Sequence, residues 1–309
     1  MDIFLQQLIN GIVLGAIYAL VALGYTMVYG ILGLINFAHG EVVMIGAMVA
    51  LTVIQFLLLA GVGLPAPAIA VLGLAAAIAV CMALGFAIER IAYRPLRHAP
   101  RLAALITAIG MSILLQNAAM IIWGRQYHSF PPLVVPTPHH FGGATLTDQQ
   151  MFIVALAGAI MAGLLLLVHR TRLGRAMRAT AQDPAVAGLM GVNINTVISI
   201  TFVIGSALGA VAGMMVSAYD GVAHYFMGFM LGLKAFTAAV LGGIGNIAGA
   251  MLGGLALGVI ESLAAGYIGP LTGGFLGSHY QDVFAFLVLI VVLVFRPSGL
   301  LGERVAERS

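Results

Sequence analysis

Eleven of the thirteen basic side chains of this 309-residue chain are confined to three short stretches. They are Arg90–Arg101 (Arg90, Arg94, Arg97, Arg101), Arg170–Arg178 (Arg170, Arg172, Arg175, Arg178) and the tail (Arg296, Arg304, Arg308). Nearly everything between them is apolar. Hydrophobic residues make up 62 % of the chain and charged residues 7 %, against roughly 25 % charged in an ordinary soluble domain. So few charges cannot cover the surface of a water-soluble domain, which leaves an all-α polytopic membrane protein. Forty glycines agree, because small residues let spanning helices approach closely. Basic residues in short loops stay cytoplasmic, so the three clusters fix three points of the chain to one membrane face. The same retention accounts for the formal charge of +3, and no nucleic-acid partner is read into it. Cys81 is the only cysteine, which excludes an intrachain disulfide. The first apolar run lacks a basic leader and is long enough to span, so it reads as a retained helix, not a cleaved signal.

About 20 helical residues cross a hydrocarbon core of ~30 Å. Full-length spans are expected at roughly 8–30, 38–60, 66–90, 102–123, 151–169, 194–218, 246–266 and 277–296, about eight in all. Two spans separate the first two basic clusters, so residues 124–150 form an external loop. Its Pro131, Pro132, Pro136, Pro138, His139 and His140 read as irregular structure, and Trp123 and Tyr127 suit the interface. Three spans precede Arg90, which places the N-terminus outside and the C-terminus in the cytoplasm. Between the second cluster and the tail the count must be even. The apolar stretch 230–266 would be about 55 Å long as one helix, and the run Gly242-Gly243-Ile244-Gly245-Asn246 breaks it. It therefore divides into a short broken or re-entrant segment near 231–243 and a full span. The whole of 1–309 is expected to be a single transmembrane domain.

Two interruptions resemble each other. Gly33-Leu34-Ile35-Asn36 and Gly243-Ile244-Gly245-Asn246 both end in an Asn able to cap a new helix, and small Gly-spaced stretches follow both. Matching interruptions mark an internal transporter repeat; two ordinary glycine-rich turns are the alternative. New helices are expected to begin at Phe37 and Ile247.

The block Asn36-Phe37-Ala38-His39-Gly40-Glu41 holds the only acid between Asp2 and Glu89. A carboxylate at membrane depth costs about 3 kcal/mol unless it is paired or wet. Either Glu41 and His39 border a translocation path, or they hold the helix break through hydrogen bonds. Glu261 is a second acid within a span. Gln116 and Asn117 form a third polar point, expected to bond across helices, and Lys234 is expected to snorkel toward the interface. In the stretch 170–193, topogenic charge explains the arginines but not the small, Gly-punctuated run after them. Residues 179–190 are expected to form a short surface helix, with Asp183 capping Pro184 and an end near Gly191. A surface helix of this kind suits docking to a soluble partner.

Five blocks carry a resemblance over nearly the whole length. They are Gly33 through Glu41, Ile88 through Pro95, Ile109-Gly110-Met111-Ser112 with Gln116-Asn117, Gly174 through Gly191, and Lys234 through Gly245 with Thr237 inside it. In this order they resemble the branched-chain amino-acid permease subunits of bacterial ABC importers, most closely the H type of the high-affinity Leu/Ile/Val system. The resemblance implies a second homologous permease, two cytoplasmic ATPase subunits, a periplasmic substrate-binding protein and a bacterial inner-membrane location. ATP and Mg would sit on the ATPases, with no cofactor, metal or catalytic residue on this chain. It also implies that Gly174, Arg175, Arg178, Ala181, Gln182, Asp183, Gly188 and Gly191 belong to the coupling segment. Importer coupling segments generally carry Glu-Ala-Ala before a spaced Gly, whereas Ala181-Gln182-Asp183 precede Gly188 here. Candidates for the path or the helix breaks are Asn36, His39, Glu41, Gln116, Asn117, Thr237, Gly243, Gly245, Asn246 and Glu261. The rival readings are a self-sufficient secondary transporter driven by protons, an ABC permease for urea or amides, and an intramembrane enzyme. The last lacks any Gly-x-Ser-x-Gly, His-Glu-x-x-His or phosphate-loop motif.

Overall fold

Backbone groups withdrawn from water must bond to one another, and a helix achieves this within one segment. The computed structural model describes every residue except Met1, His98, 133–136, Gly142, Gly274, 276–279 and 303–309, together with the side chains of Asp2, Arg101, Phe141, Gln281 and Ala285. Pro136, Arg304 and Arg308 therefore lie outside the described residues, as does the side chain of Arg101. Among the described residues, seven helices are long and apolar enough to cross a membrane. They are α1 (Asp2–Leu32), α2 (His39–Leu59), α3 (Ala66–Ile88), α4 (Arg101–Trp123), α5 (Asp148–Arg170), α8 (Ile194–Asp220) and α10 (Ile247–Leu271). Two short helices, α6 (Arg172–Gln182) and α7 (Pro184–Leu189), follow α5. Shorter apolar helices are α9 (Met227–Gly242) and α11 (Gln281–Phe295).

Seven of the expected spans are thus present. Of the eighth, expected at 277–296, residues 277–279 lie outside the described residues, and α11 covers Gln281–Phe295, 15 residues or about 22 Å. The segment expected near 231–243 begins earlier, at Met227.

The chain divides into two compact units, and the division falls inside α1, α5 and α9. One comprises Met27–Val135 and Gly163–Leu233. Its core is α2, α3 and α8, with Met44, Met48, Leu51, Ile54, Ile88 and Phe202 fully buried. Close packing depends on small residues: a Cβ on Gly46 would lie 2.6 Å from the Ala210 Cα. At one end of this unit a π-helical turn, Glu89–Tyr93, extends α3. There Arg97 bonds both Glu89 and Asn195 at the start of α8. At the far end of α8, β4 (Val222–Ala223) pairs antiparallel with β1 (His128–Ser129). The arginine-bearing turn and the loop after α4 therefore lie at opposite ends of α8.

The other unit comprises Met1–Thr26, Pro136–Ala162 and Lys234–Ser309. Gly11 and Gly15 of α1 meet Val259 and Leu255 of α10, with a Cβ on either glycine 2.6 and 2.7 Å from their Cα atoms. His139 and His140, expected in irregular structure, lie instead in β2 (Pro138–Phe141), which forms a hairpin with β3 (Ala144–Thr147). Gly143, at φ +91°, makes the turn, and alternating Thr145 and Thr147 favour a strand. The Gln6 side-chain amide pairs with the Thr145 backbone, donating to its oxygen at 3.1 Å and accepting from its nitrogen at 2.7 Å.

Candidate functional site

Helix α1 stops at Leu32, where Gly33 takes φ +64°. Asn36 was expected to cap the next helix and does not. Its Oδ1 accepts from the Tyr93 hydroxyl at 2.9 Å, and α2 starts at His39, not Phe37, with Ala38 as an N-cap that makes no side-chain bond. The Asn ties the break to the π-helical turn of the same unit. His39 and Glu41 are buried, Glu41 completely. Glu41 Oε1 accepts from Ser112 Oγ on α4 at 3.1 Å, so Ser112 supplies the interhelical contact. Glu41 Oε2 has no hydrogen-bond partner among the described residues and faces Gly228 in the first turn of α9. Gly40 and Gly228 are in backbone contact; a Cβ on Gly40 would also lie 2.8 Å from the Gly232 Cα. Gln116 is half-buried, and Asn117 is exposed with its amide donating to Ile113 O of its own helix at 2.8 Å. The cross-helix bond expected of Asn117 is made by Ser112, one turn earlier.

Glu89 was missed as a site residue. It is fully buried, accepts from Arg97, and accepts from Ser199 Oγ on α8 at 2.6 Å. An acid directly preceding a basic cluster was the available signal.

In the other unit, Lys234 does not snorkel. It is 14 % exposed and lies 2.6 Å from Glu261 Oε1 on α10 and 2.8 Å from Asp282 Oδ1 on α11. The Tyr18 hydroxyl donates to the same Glu261 oxygen at 3.2 Å. An ammonium between two carboxylates gains more there than a stem stretched toward water. Thr237 is buried one turn further along α9. The helix then breaks: Gly243 and Gly245 take φ of +106° and +94°, which favour glycine. Asn246 caps α10, its Oδ1 accepting from Gly249 N at 3.0 Å.

The stretch 170–193 folds as two helices where one was expected over 179–190. α6 takes in most of the basic cluster, capped by Thr171, whose Oγ1 accepts from Gly174 N at 3.0 Å. Gly174 sits against the last carbonyls of α5, and Arg178 donates to one of them, Val168 O. The break falls at Asp183 because Pro184 lacks an N–H and disfavours a helical residue before it. Asp183 Oδ1 accepts from Ala185 N and Val186 N at 2.9 and 3.0 Å. α7 ends with Gly191 at φ +85°; Gly191 N donates to Gly188 O, and Val192 N to Ala187 O, both at 3.0 Å. Arg175, Arg178, Ala181, Gln182, Asp183, Gly188 and Gly191 are exposed, as are Val186, Leu189 and Met190 at 53, 87 and 81 %.

Interrupted apolar helices with buried carboxylates, and a capped helix pair exposed between two of the spans, define a multi-pass membrane protein of the transporter kind. The sequence pattern of the family described as branched-chain amino acid transport system, permease component, matches residues 7–293, and the chain belongs to that family. It is 48 % identical, over 99 % of this chain and 98 % of the other, to the high-affinity branched-chain amino acid transport system permease protein BraD of Pseudomonas aeruginosa. It is 46 % identical to the corresponding permease protein LivH of Escherichia coli, over 99 % of this chain and 97 % of the other. A probable branched-chain amino acid transport permease protein LivH of Methanocaldococcus jannaschii is 27 % identical, over 97 % of this chain and 94 % of the other.

Proposed function

We propose that the chain is the membrane-spanning subunit of an ATP-driven importer that passes branched-chain amino acids across the bacterial inner membrane. The observation that carries the reading is the apolar tip of α7. Val186, Leu189 and Met190 are exposed on a helix capped at both ends, which is the form a docking element needs. The partner is an ATPase subunit on the cytoplasmic face, where the arginine clusters belong by charge. ATP and Mg stay on two such subunits, so this chain takes no cofactor and catalyses no hydrolysis. A second homologous permease completes the pore, and an external binding protein selects the solute. The relatives named above favour leucine, isoleucine and valine over urea or amides. An amino-acid zwitterion cannot cross hydrocarbon unaided, so the pore needs a polar lining and alternating access, driven through α6 and α7. In this reading Asn36 and Asn246 hold the helix breaks, and Glu41 with Ser112 fixes α2 to α4.

Reconstitution into liposomes tests it. Labelled leucine is expected to accumulate only when the second permease, both ATPase subunits, the binding protein and ATP are present. Accumulation by this chain alone, driven by a pH gradient, would make it a secondary transporter. A cognate binding protein that retains urea or an amide but no branched-chain amino acid would move the substrate assignment.

A further inference from the structure

Helix α9 has 16 residues, about 24 Å, and stops at a break. The last carbonyls of any helix lack partners within it. Here the tail after α11 supplies them. Leu300 N donates to Leu241 O and Leu301 N to Gly242 O, both at 2.9 Å. In return Asn246 Nδ2 donates to Leu301 O at 2.9 Å. The approach is backbone to backbone: a Cβ on Gly299 would lie 2.7 Å from Val240 O, and one on Gly243 2.7 Å from the Gly302 Cα. Gly299 takes φ +79°, so glycine is needed there on two grounds.

The same two elements meet again nearer the start of α9. Lys234, the only lysine in the chain, pairs at 2.8 Å with Asp282 in the first turn of α11, and at 2.6 Å with Glu261 of α10. Lys234 and Leu241 are two helical turns apart, about 10 Å along α9. The two ties thus hold α9 at separate points, and both lead to α11 and its extension.

We propose that α11 and the Arg296–Gly302 tail form a two-point clamp, a charge tie and a backbone tie, that keeps the broken helix α9 rigid up to its break. With both ties closed, residues 234–242 of α9 move with α11 as one body. With the backbone tie open, the last turn of α9 frays and the break loosens. The clamp rests on contacts within one unit; its consequence for uptake rests on the function proposed above.

Hydrogen exchange on the full-length chain in lipid nanodiscs tests the clamp without reference to transport. Leu301→Pro deletes the amide that bonds Gly242 O, whereas Leu301→Ala keeps it. Exchange over 240–249 is expected to rise about tenfold in Leu301→Pro and to stay within about twofold of wild type in Leu301→Ala. Asp282→Asn weakens the charge tie and is expected to raise exchange over the same residues severalfold. The double variant is expected to depart from additivity, since both ties hold one helix. Unchanged exchange in Leu301→Pro, an equal rise in Leu301→Ala, or strict additivity would overturn the clamp. In the reconstituted system Leu301→Pro is expected to lose most uptake. Full uptake despite raised exchange would remove the clamp from the transport cycle, whereas failure of the wild type itself to transport would count against the proposed function and leave the exchange result standing.

Discussion

A carboxylate excluded from water needs hydrogen-bond donors in its place, and Glu89 has Arg97 and Ser199. Removing one partner of such a pair strands the other. Glu89→Ala is expected to cost on the order of 3–5 kcal/mol and Arg97→Ala a comparable amount, with the double variant well short of the sum. Thermal unfolding in detergent checks this, and additive losses would mean that the pair is not coupled. At this scale the sequence was legible in part. Glu41 stands out as a lone acid in a long apolar run, but its partner Ser112 is an unremarkable residue on a helix far along the chain. Asn36 and Asn246 look alike in sequence, each following a glycine turn. Only Asn246 caps, because α10 starts immediately after it, whereas α2 starts three residues after Asn36 and the Tyr93 hydroxyl has claimed the side chain. A contact between positions 57 residues apart leaves no local trace. Lys234 was misjudged for the same reason: its carboxylates are on other helices.

Among the elements, the helix pair after α5 depends most on single caps. Asp183→Ala is expected to cost about 1 kcal/mol of local stability, raising exchange at Ala185 and Val186, while Asp183→Asn retains the bond. If α7 is the docking element, Asp183→Ala should lower transport-coupled ATP hydrolysis as well; equal exchange in the Ala and Asn variants would show that the cap does not hold α7. The break between α9 and α10 was legible because an apolar run too long for the bilayer contained a cluster of glycines. The extent of α6 was not, since retention at the cytoplasmic face already explained its arginines and hid the amphipathic pattern, with Gly174, Met177 and Thr180 buried on one face.

For the molecule as a whole, sidedness is the property most directly open to experiment. Arg97 bonds Asn195 at one end of α8, and His128 pairs with Ala223 at the other. In a Cys81→Ala background, cysteines replacing the exposed Arg172 and Arg175 are expected to react with an impermeant reagent only from the cytoplasm, and those replacing Tyr127 and His224 only from outside. Labelling of position 175 from outside would reverse the topology and end the docking assignment. The spacing of arginines assigns these faces from local composition alone, because charge retention needs no tertiary contact. The sealed ammonium of Lys234 has a practical consequence. Apart from its N-terminal amine, the folded protein offers amine-reactive probes almost no target, so the slow appearance of a modified lysine would serve as a built-in clock for the release of α9.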